Sequence, residues 1–279
     1  MKTQVLVITG SGGIGQAIAR RQGPGKHILF ADISEENLAV ASAALEDLGH
    51  TVSTQRTDVS SRESVHALAE AADQIGDVVQ VVHTAGVSPV QAPAATVLAV
   101  DLLGTALVLE EFGHVIAAGG AGIVISSMAG HMFPPFAPEQ EHALAHTPTD
   151  ELLALPFLAD TENMGGAAYG YAKRGNHLRV QAESLAWGER GGRINAISPG
   201  IIITPLARDE MTGPGAANYR KMIETSATGR VGTPDEVAAA AAFLLGPEAG
   251  FITGSDLLMD GGVIAALRAG RWSLGGSAN

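Results

Sequence analysis

Short apolar runs alternate with longer segments rich in Ala, Leu and Glu over the first 129 residues of the chain. Several runs are apolar throughout rather than at every second position, which is typical of strands buried on both faces of a parallel sheet. The pattern predicts strands over residues 4–9, 27–31, 51–56, 78–83 and 122–126. Capping residues such as Ser34 and Ser61 predict helices over 14–22, 34–48 and 61–75. The alternation predicts an α/β fold with a doubly wound parallel sheet and helices on both faces.

The regular alternation stops after the fifth predicted strand. Residues 131–166 are rich in Pro, His and acidic residues, with one helical piece near 149–155, and are interpreted as an insertion. Helices over 167–187 and 234–245 and strands over 193–198 and 257–259 then complete a sheet of about seven strands. No internal repeat and no linker-like change of composition appears. The sequence therefore predicts that residues 1–279 form a single domain with one insertion.

Composition and charge exclude several classes of function. The 279 residues carry a net charge of −12, which disfavours nucleic acid or an anionic membrane as the main partner. The chain has no Cys, so disulfides, thiol nucleophiles and Cys-ligated metals are excluded. The first residues lead directly into a strand pattern without a signal-peptide pattern, and the longest strictly apolar stretch, 237–245, is too short to span a membrane. We therefore expect a cytoplasmic protein with a small-molecule substrate.

A glycine-rich turn separates the first predicted strand from the first helix. Gly10, Gly12 and Gly15 fit the pattern G-x-G-x-x-G, in which the helix N-terminus holds the pyrophosphate of a dinucleotide in a Rossmann-type fold. Asp32 ends the second strand, about 20 residues after the middle glycine, where a carboxylate accepts from the ribose hydroxyls and repels a 2′-phosphate. This predicts NAD rather than NADP. The alternative is an ordinary tight turn, with Asp32 merely ending a strand.

Tyr169 and Lys173 lie four residues apart and so share one face of their predicted helix. A nearby ammonium stabilises a phenolate, which lowers the pKa of a phenol towards neutrality and suits it to proton transfer. A hydroxyl that orients a substrate oxygen could come from Ser126 or Ser127, at the carboxyl end of the fifth strand. These side chains are the candidate catalytic groups.

Taken in order, these motifs resemble the short-chain dehydrogenase/reductase family over nearly the whole chain. The resemblance implies that Tyr169 donates or accepts the proton, that Lys173 assists it and binds the nicotinamide ribose, and that Ser127, which matches the family's S-x-x-G stretch, holds the substrate oxygen. The cofactor-binding residues that it implies are Gly10, Ser11, Gly12, Gly13, Ile14, Gly15, Asp32, Ile33, Asp58, Val59, Ala85, Gly86, Tyr169, Lys173, Pro199, Gly200, Ile202 and Thr204.

The chain departs from the family pattern at three places. The glycine turn is one residue shorter than the usual T-G-x-x-x-G-x-G, and His83 and Thr84 stand where the family often has two Asn. Asp101 aligns with a helix Asn that supports a water relay to the catalytic Lys in the family. A carboxylate accepts hydrogen bonds but cannot donate as an amide does, so Asp101 is either an altered catalytic relay or a solvated or capping residue.

The insertion begins just after Ser127 with residues 132–136 (MFPPF), the largest aromatic cluster of the chain. These residues either wall a hydrophobic substrate pocket or pack the insertion onto the rest of the protein. The long spacing between Ser127 and Tyr169 is similar to that of bacterial 3α-hydroxysteroid dehydrogenase/carbonyl reductases, which implies a hydrophobic alicyclic or steroid-like alcohol or ketone. Residues 206–229 resemble the family's mobile substrate loop. Family resemblance also implies a homodimer or homotetramer, the tetramer being disfavoured by the insertion.

Two other functions stay open at this point. One is a 3-oxoacyl-thioester reductase of the same family, which would favour NADPH. The other is a nucleotide-binding regulatory protein that has kept the fold and lost catalysis. His142 and His146 are four residues apart and could share a metal ion, but no third ligand has suitable spacing, so no metal site is expected.

Overall fold

Within the described residues, 2–133, 136–159, 167–204 and 215–274 of the computed structural model, seven parallel strands form one central sheet. The strands are β1 (Gln4–Thr9), β2 (His27–Asp32), β3 (Thr51–Arg56), β4 (Asp77–His83), β5 (Ile116–Ile125), β6 (Arg193–Pro199) and β7 (Asp256–Met259). Their order across the sheet is β3-β2-β1-β4-β5-β6-β7. This confirms the α/β class and the doubly wound parallel sheet.

Helices cover both faces of the sheet. They are α1 (Gly13–Gln22), α2 (Glu35–Glu46), α3 (Arg62–Ile75), α4 (Ala94–Val97), α5 (Gly104–Gly113), α6 (Pro138–His146), α7 (Ala167–Glu189), α8 (Ala216–Thr225), α9 (Pro234–Leu245) and α10 (Val263–Arg268). A π-helix, Leu98–Leu103, joins α4 to α5, and short 3-10 helices cover Met128–His131, Thr149–Ala154 and Pro247–Ala249. Neighbouring side chains of β1 enter opposite layers, Leu6 and Ile8 packing with α1 and α9, and Val5 and Val7 with α3, α5 and α7.

Some of the differences from the sequence predictions have a clear physical reason. The segment 94–113 is helical although the hydrophobic pattern predicts no helix there. The pattern misses it because α5 is buried nearly all round and so has no polar face. Strand β5 begins at Ile116 rather than at residue 122. Its first half is hidden in the sequence because Gly119, with φ +79°, lies in an irregular stretch that interrupts the register with β4. Helix α6 begins with Pro138 at its first position, a start signal that the Pro-rich composition obscured.

The insertion forms an added layer over α7. Leu144 of α6 and Leu152 of the following 3-10 helix pack with Leu102 and Ala172 in one apolar cluster. The Arg179 side chain of α7 donates from Nε to the Leu144 carbonyl at 2.8 Å. The insertion therefore packs against the part of α7 that carries Tyr169 and Lys173. No helix in the described part of the chain is long and apolar enough to cross a membrane.

The predicted caps are present where helices begin. The hydroxyls of Ser34 and Ser61 accept from the amides of Asn37 and Ser64, three residues further on. Helix α9 has a full capping box, in which Thr233 Oγ1 accepts from the Glu236 amide at 3.3 Å and the Glu236 carboxylate accepts from the Thr233 amide at 2.9 Å. Helix α9 packs on α1, so its first turn supports the helix at the glycine turn.

We expect Thr233→Ala to lower the free energy of unfolding by about 1 kcal/mol, because one amide of α9 loses its partner. Thr233→Ser is the matched control, since its hydroxyl still caps the helix. Urea unfolding followed by circular dichroism measures both variants. Equal stability of the Ala variant and the wild type would show that the cap contributes nothing.

Candidate active site

A cavity of about 710 Å³ lies at the carboxyl edge of the sheet, where β1 and β4 are neighbours and the chain turns to opposite sides. Open α/β sheets bind ligands at such a point. The predicted site residues that line the cavity are Ile14, Gly86, Ser127, Tyr169, Lys173, Pro199, Gly200, Ile202 and Thr204. The fold thus brings together residues that are far apart in the sequence.

The glycine turn is packed backbone against backbone on the end of β4. Gly10 has φ +89°, and a Cβ there would lie 2.6 Å from both the Ala85 amide nitrogen and Thr84 Oγ1. The Thr84 hydroxyl oxygen in turn lies 2.9 Å from the Thr9 carbonyl and 2.8 Å from the Gly10 carbonyl. A larger residue than glycine would therefore separate the turn from β4.

The space in front of helix α1 fits a dinucleotide pyrophosphate. Gly12 stands at the helix N-cap with no side-chain cap, and a Cβ on it would meet nothing within 4 Å. A Cβ on Gly15 would lie 2.2 Å from the Gly10 carbonyl, so the turn is tight behind this open space. Although the turn is one residue short, it leaves the amides of the α1 N-terminus an approach for an anion.

Ser11 holds Asp32 instead of facing the open space. The Ser11 amide and hydroxyl both donate to Asp32 Oδ2, at 2.8 and 2.7 Å, and the Ser34 amide donates to Oδ1 at 3.0 Å. The Ser11 amide is thus directed away from a pyrophosphate, in contrast to its expected role among the cofactor contacts. The half-buried carboxylate retains further acceptor capacity at the end of β2.

The remaining predicted cofactor residues lie at the ends of β2 and β3, outside the cavity. Ile33 is 56% exposed beside Asp32 and offers an apolar surface to a flat ring. The Asp58 carboxylate accepts from the Ser60 amide and hydroxyl at 2.9 and 2.6 Å. The Val59 side chain is buried in the core, so only its backbone is available to a ligand.

Helix α7 presents Tyr169 and Lys173 to the cavity, with Lys173 Nζ 5.2 Å from the centroid of the Tyr169 ring. Tyr171 stacks instead on Phe136, with ring centroids 4.4 Å apart. The two candidate serines differ in their hydrogen bonds. The Ser126 hydroxyl is buried and donates to the Lys173 carbonyl at 3.0 Å, whereas the Ser127 oxygen accepts from the Ala129 amide at 3.1 Å, a bond that leaves its proton available.

Lys173 is paired with Asp101 in the protein interior. Nζ lies 3.6 Å from Asp101 Oδ1, with side-chain exposures of 5% and 0%. Burial by itself lowers the pKa of Lys173, but the attraction to Asp101 and Tyr169 outweighs it and the pKa is raised. Burial raises the pKa of Asp101, an effect that Lys173 and the Val87 amide reduce. Asp101 is therefore neither solvated nor a helix cap: its carboxyl group is the buried partner of Lys173.

His83 connects the glycine turn to the Asp101 helix. Its ring nitrogens lie 2.6 Å from Thr9 Oγ1 and 3.1 Å from Thr105 Oγ1, and the Thr105 hydroxyl donates to the Asp101 carbonyl. Because that proton is used, His83 Nε2 must donate to Thr105, and Nδ1 accepts from Thr9. Burial lowers the pKa of His83 to about 3, so the ring is neutral. The sequence showed His83 only as a departure from the family pattern.

The aromatic cluster at residues 132–136 divides between its two proposed roles. Met132 and Phe133 line the cavity, and Gly170 gives the Phe133 ring room, since a Cβ there would lie 2.2 Å from it. Phe136 packs the insertion onto α7 through Tyr171. Pro134 and Pro135 lie outside the described residues. The cluster therefore divides between the cavity wall and the packing of the insertion.

The outer wall of the cavity comes from the last third of the chain. Of the predicted substrate loop, residues 206–214 lie outside the described residues. Helix α8, within the rest of that loop, contributes Tyr219 and Met222, and the segment after α10 contributes Leu274. This wall adds mainly apolar surface to the space beside Tyr169.

Comparison with known proteins assigns the family. The model described as "short chain dehydrogenase" matches residues 3–138, and the one described as "Enoyl-(Acyl carrier protein) reductase" matches residues 150–264. The short-chain dehydrogenase/reductase bsc3 of Alternaria brassicicola is 44% identical over 96% of this chain and 98% of its own length. The chain belongs to the short-chain dehydrogenase/reductase family. It is an oxidoreductase of a family whose dehydrogenases act on CH–OH groups.

Two further relatives match nearly the whole chain at lower identity. A 3beta-hydroxysteroid dehydrogenase of Eggerthella lenta is 30% identical over 94% of both chains. A cis-4-hydroxycyclohexanecarboxylate dehydrogenase of Sinomonas cyclohexanicum is 31% identical over 94% of this chain and 97% of its own. A solved short-chain dehydrogenase/reductase from Serratia marcescens has a TM-score of 0.73 at 24% identity, covering 94% of this chain and 98% of its own, which shows the family's fold.

We expect Asp101→Asn to move the alkaline limb of the pH profile of kcat/KM to lower pH. The amide oxygen still accepts from Val87, but the loss of negative charge lowers the pKa of Lys173, so the ammonium is lost at lower pH. The measurement is steady-state turnover over a pH range that extends past about 10.4, the ordinary pKa of a lysine. Asp73→Asn, an exposed acid on α3, is the control. An unchanged alkaline limb would contradict the pairing.

Proposed function

We propose that this protein is an NAD-dependent oxidoreductase that interconverts a secondary alcohol and a ketone. The supporting observation is that Tyr169, Lys173 and Ser127 line one cavity next to a glycine turn that can accept a pyrophosphate. A bound nicotinamide dinucleotide would supply or accept the hydride. The glycine turn, apart from the Ser11 amide, and the α1 N-terminus would hold its pyrophosphate, and Asp32 would hold its adenosine ribose.

The protein's part of the chemistry is orientation and proton transfer. Ser127 Oγ donates to the substrate oxygen and fixes it beside the Tyr169 hydroxyl. Tyr169 gives its proton to that oxygen in reduction and takes it in oxidation. Lys173 remains an ammonium through its pair with Asp101 and stabilises the phenolate form of Tyr169. In this scheme Asp101 acts through Lys173 and does not touch the substrate.

The substrate we propose is a hydrophobic alicyclic or steroid-like alcohol or ketone. Lys173 is the one charged residue among the described residues that line the cavity, and Met132, Phe133 and Met222 give it an apolar wall. Two relatives are named for a hydroxysteroid and a hydroxycyclohexane substrate. Others are named for the acyclic polyols threitol and galactitol, whose many hydroxyls would find few partners on this wall.

The alternatives each conflict with a feature of the site. A 3-oxoacyl-thioester reductase using NADPH would bring a 2′-phosphate against Asp32, with Glu35 and Glu36 in the next helical turn. A regulatory protein without catalysis would have no need of the complete Ser127, Tyr169 and Lys173 set.

We further propose a cytoplasmic homo-oligomer. Exposed Phe243 on α9 and exposed Leu257 on β7 support association, and the insertion over α7 favours a dimer over a tetramer.

We expect Tyr169→Phe to lower kcat by at least about 100-fold, because the acid/base group is lost, with the dissociation constant of NAD nearly unchanged. Tyr171→Phe is the control: it removes a phenol hydroxyl two residues away and keeps the ring that stacks on Phe136. NADH absorbance in the presence of cyclic secondary alcohols measures turnover, and calorimetry measures NAD binding. Full activity of the Tyr169→Phe variant would exclude the proposed mechanism.

We expect Asp32→Asn to shift cofactor preference towards NADP by at least about tenfold in the ratio of kcat/KM values. The amide still accepts from Ser11 but no longer repels a 2′-phosphate. Asp47→Asn, an exposed acid at the end of α2, is the control. A wild-type preference for NADPH would overturn the cofactor assignment and favour the thioester reductase.

A further inference from the structure

Two histidines and an aspartate meet behind the Ser127 turn, on three different elements. His131 ends the 3-10 helix that Ser127 begins, His177 lies on α7, and Asp256 lies on β7. His131 Nε2 is 2.7 Å from Asp256 Oδ2, and His177 Nε2 is 3.7 Å from the same oxygen. The two imidazole rings lie 4.7 Å apart. Neither histidine has a role in the reaction proposed above.

Ser198 fixes the direction of the hydrogen bonds in this cluster. Its hydroxyl donates to Asp256 Oδ1 at 2.8 Å. Because that proton is used, His177 Nε2 must carry a proton and donate to Ser198 Oγ, also at 2.8 Å. Burial lowers the pKa of His177 to about 4, so its ring is neutral. Asp256 therefore accepts from Ser198 on one oxygen and from His131 on the other.

The same three groups are close enough to share a metal ion, with their ligand atoms within 4.8 Å of one another. Coordination through His177 Nε2 would move its proton to Nδ1, which is buried and has no hydrogen-bond partner in the described part of the chain. Metal-bound histidines normally donate that second proton to an acceptor. The hydrogen bonds of the cluster are thus consistent without a metal and would be disrupted by one.

The cluster joins the two elements that carry the proposed catalytic groups. His177 lies one helical turn after Lys173 and two turns after Tyr169. The Ser127 turn packs directly on it, since a Cβ on Gly130 would lie 2.6 Å from His177 Cε1. At the last residue of this turn, the His131 side chain donates to the Asp256 carboxylate. The Asp256 carboxylate therefore holds the Ser127 turn against the helix of Tyr169.

We propose that His131 and Asp256 are positioning residues that set the location of the Ser127 hydroxyl relative to Tyr169. This inference depends on the proposed function. Neither residue lines the 710 Å³ cavity, so their loss changes the alignment of the reacting groups and leaves the substrate contacts in place. Misalignment by about 1 Å can reduce an enzyme rate by about 100-fold. The effect is therefore expected in kcat rather than in KM.

The test compares two substitutions of His131. His131→Met removes the donor to Asp256, whereas His131→Gln keeps an N–H near the position of Nε2. We expect the Met variant to lose at least about tenfold in kcat with KM within about threefold, and the Gln variant to recover most of the loss. His142→Gln, an exposed histidine on α6, is the control. Equal kcat values in the wild type and the Met variant would overturn the proposal.

A second variant and a second readout guard against simple loss of folding. We expect Asp256→Asn to lower kcat, and the double variant with His131→Met to be no slower than the worse single variant, because both act through one bond. Amide hydrogen exchange should rise in residues 127–132 in both single variants, while NAD binding persists. Protection unchanged in that segment, or additive losses, would refute the positioning role.

Three further measurements separate a positioning role from a metal site and from failure of the proposed function. Wild-type turnover of a cyclic secondary alcohol tests the proposed function by itself, and hydrogen exchange tests the turn even if no substrate is found. Stoichiometric Zn²⁺ bound by the wild type in calorimetry and lost in both single variants would show a metal site and overturn the hydrogen-bonded arrangement. A loss of kcat in His131→Met that His131→Gln does not recover would also contradict the positioning role.

Discussion

The buried charge of Lys173 is the constraint on which the rest of the site depends. An ammonium with a side-chain exposure of 5% needs a partner, and Asp101 Oδ1 at 3.6 Å provides it. Asp101 lies in the π-helix between α4 and α5, a wide helical turn of a kind that is frequent at functional sites. Oδ1 also accepts from the Val87 amide, next to Gly86, where a Cβ would lie 2.6 Å from that same oxygen. Asp101 Oδ1 therefore contacts both the cavity wall at Gly86 and the ammonium of Lys173.

The local signals in the sequence predicted the parts of the fold that are determined locally. Continuously apolar strands, serine caps and the glycine turn each depend on a few neighbouring residues, and the sheet and its helices follow from them. Helix α5 could not be predicted in this way because it is buried between neighbours that are distant in sequence. The first half of β5 could not be predicted either, because Gly119 is typical of a turn and here belongs to an irregular strand.

The site residues show the same difference between features that are determined locally and features that depend on distant parts of the chain. Spacing and family resemblance indicated Tyr169, Lys173 and Ser127, because each belongs to a short motif. The pairing of His131 with Asp256 joins positions 125 residues apart and has no motif. Ser11 was expected among the amides that hold a pyrophosphate, and only the structure shows that its amide and hydroxyl hold Asp32. Such contacts are formed by the fold and are not visible in local sequence.

Three carboxylates of this acidic chain are held at the site, each by a different means. Asp32 accepts from the neutral donors of Ser11 and Ser34 at the place proposed for a ribose. Asp101 is held by Lys173, whose Nζ lies 3.6 Å from its Oδ1 inside the protein. Asp256 accepts from His131 and Ser198 behind the Ser127 turn. In the proposed mechanism the partners of Asp101 and Asp256 belong to the elements that carry Lys173 and Ser127, so removing either carboxylate would change a position or a proton affinity, whereas removing Asp32 would change the contact with the cofactor.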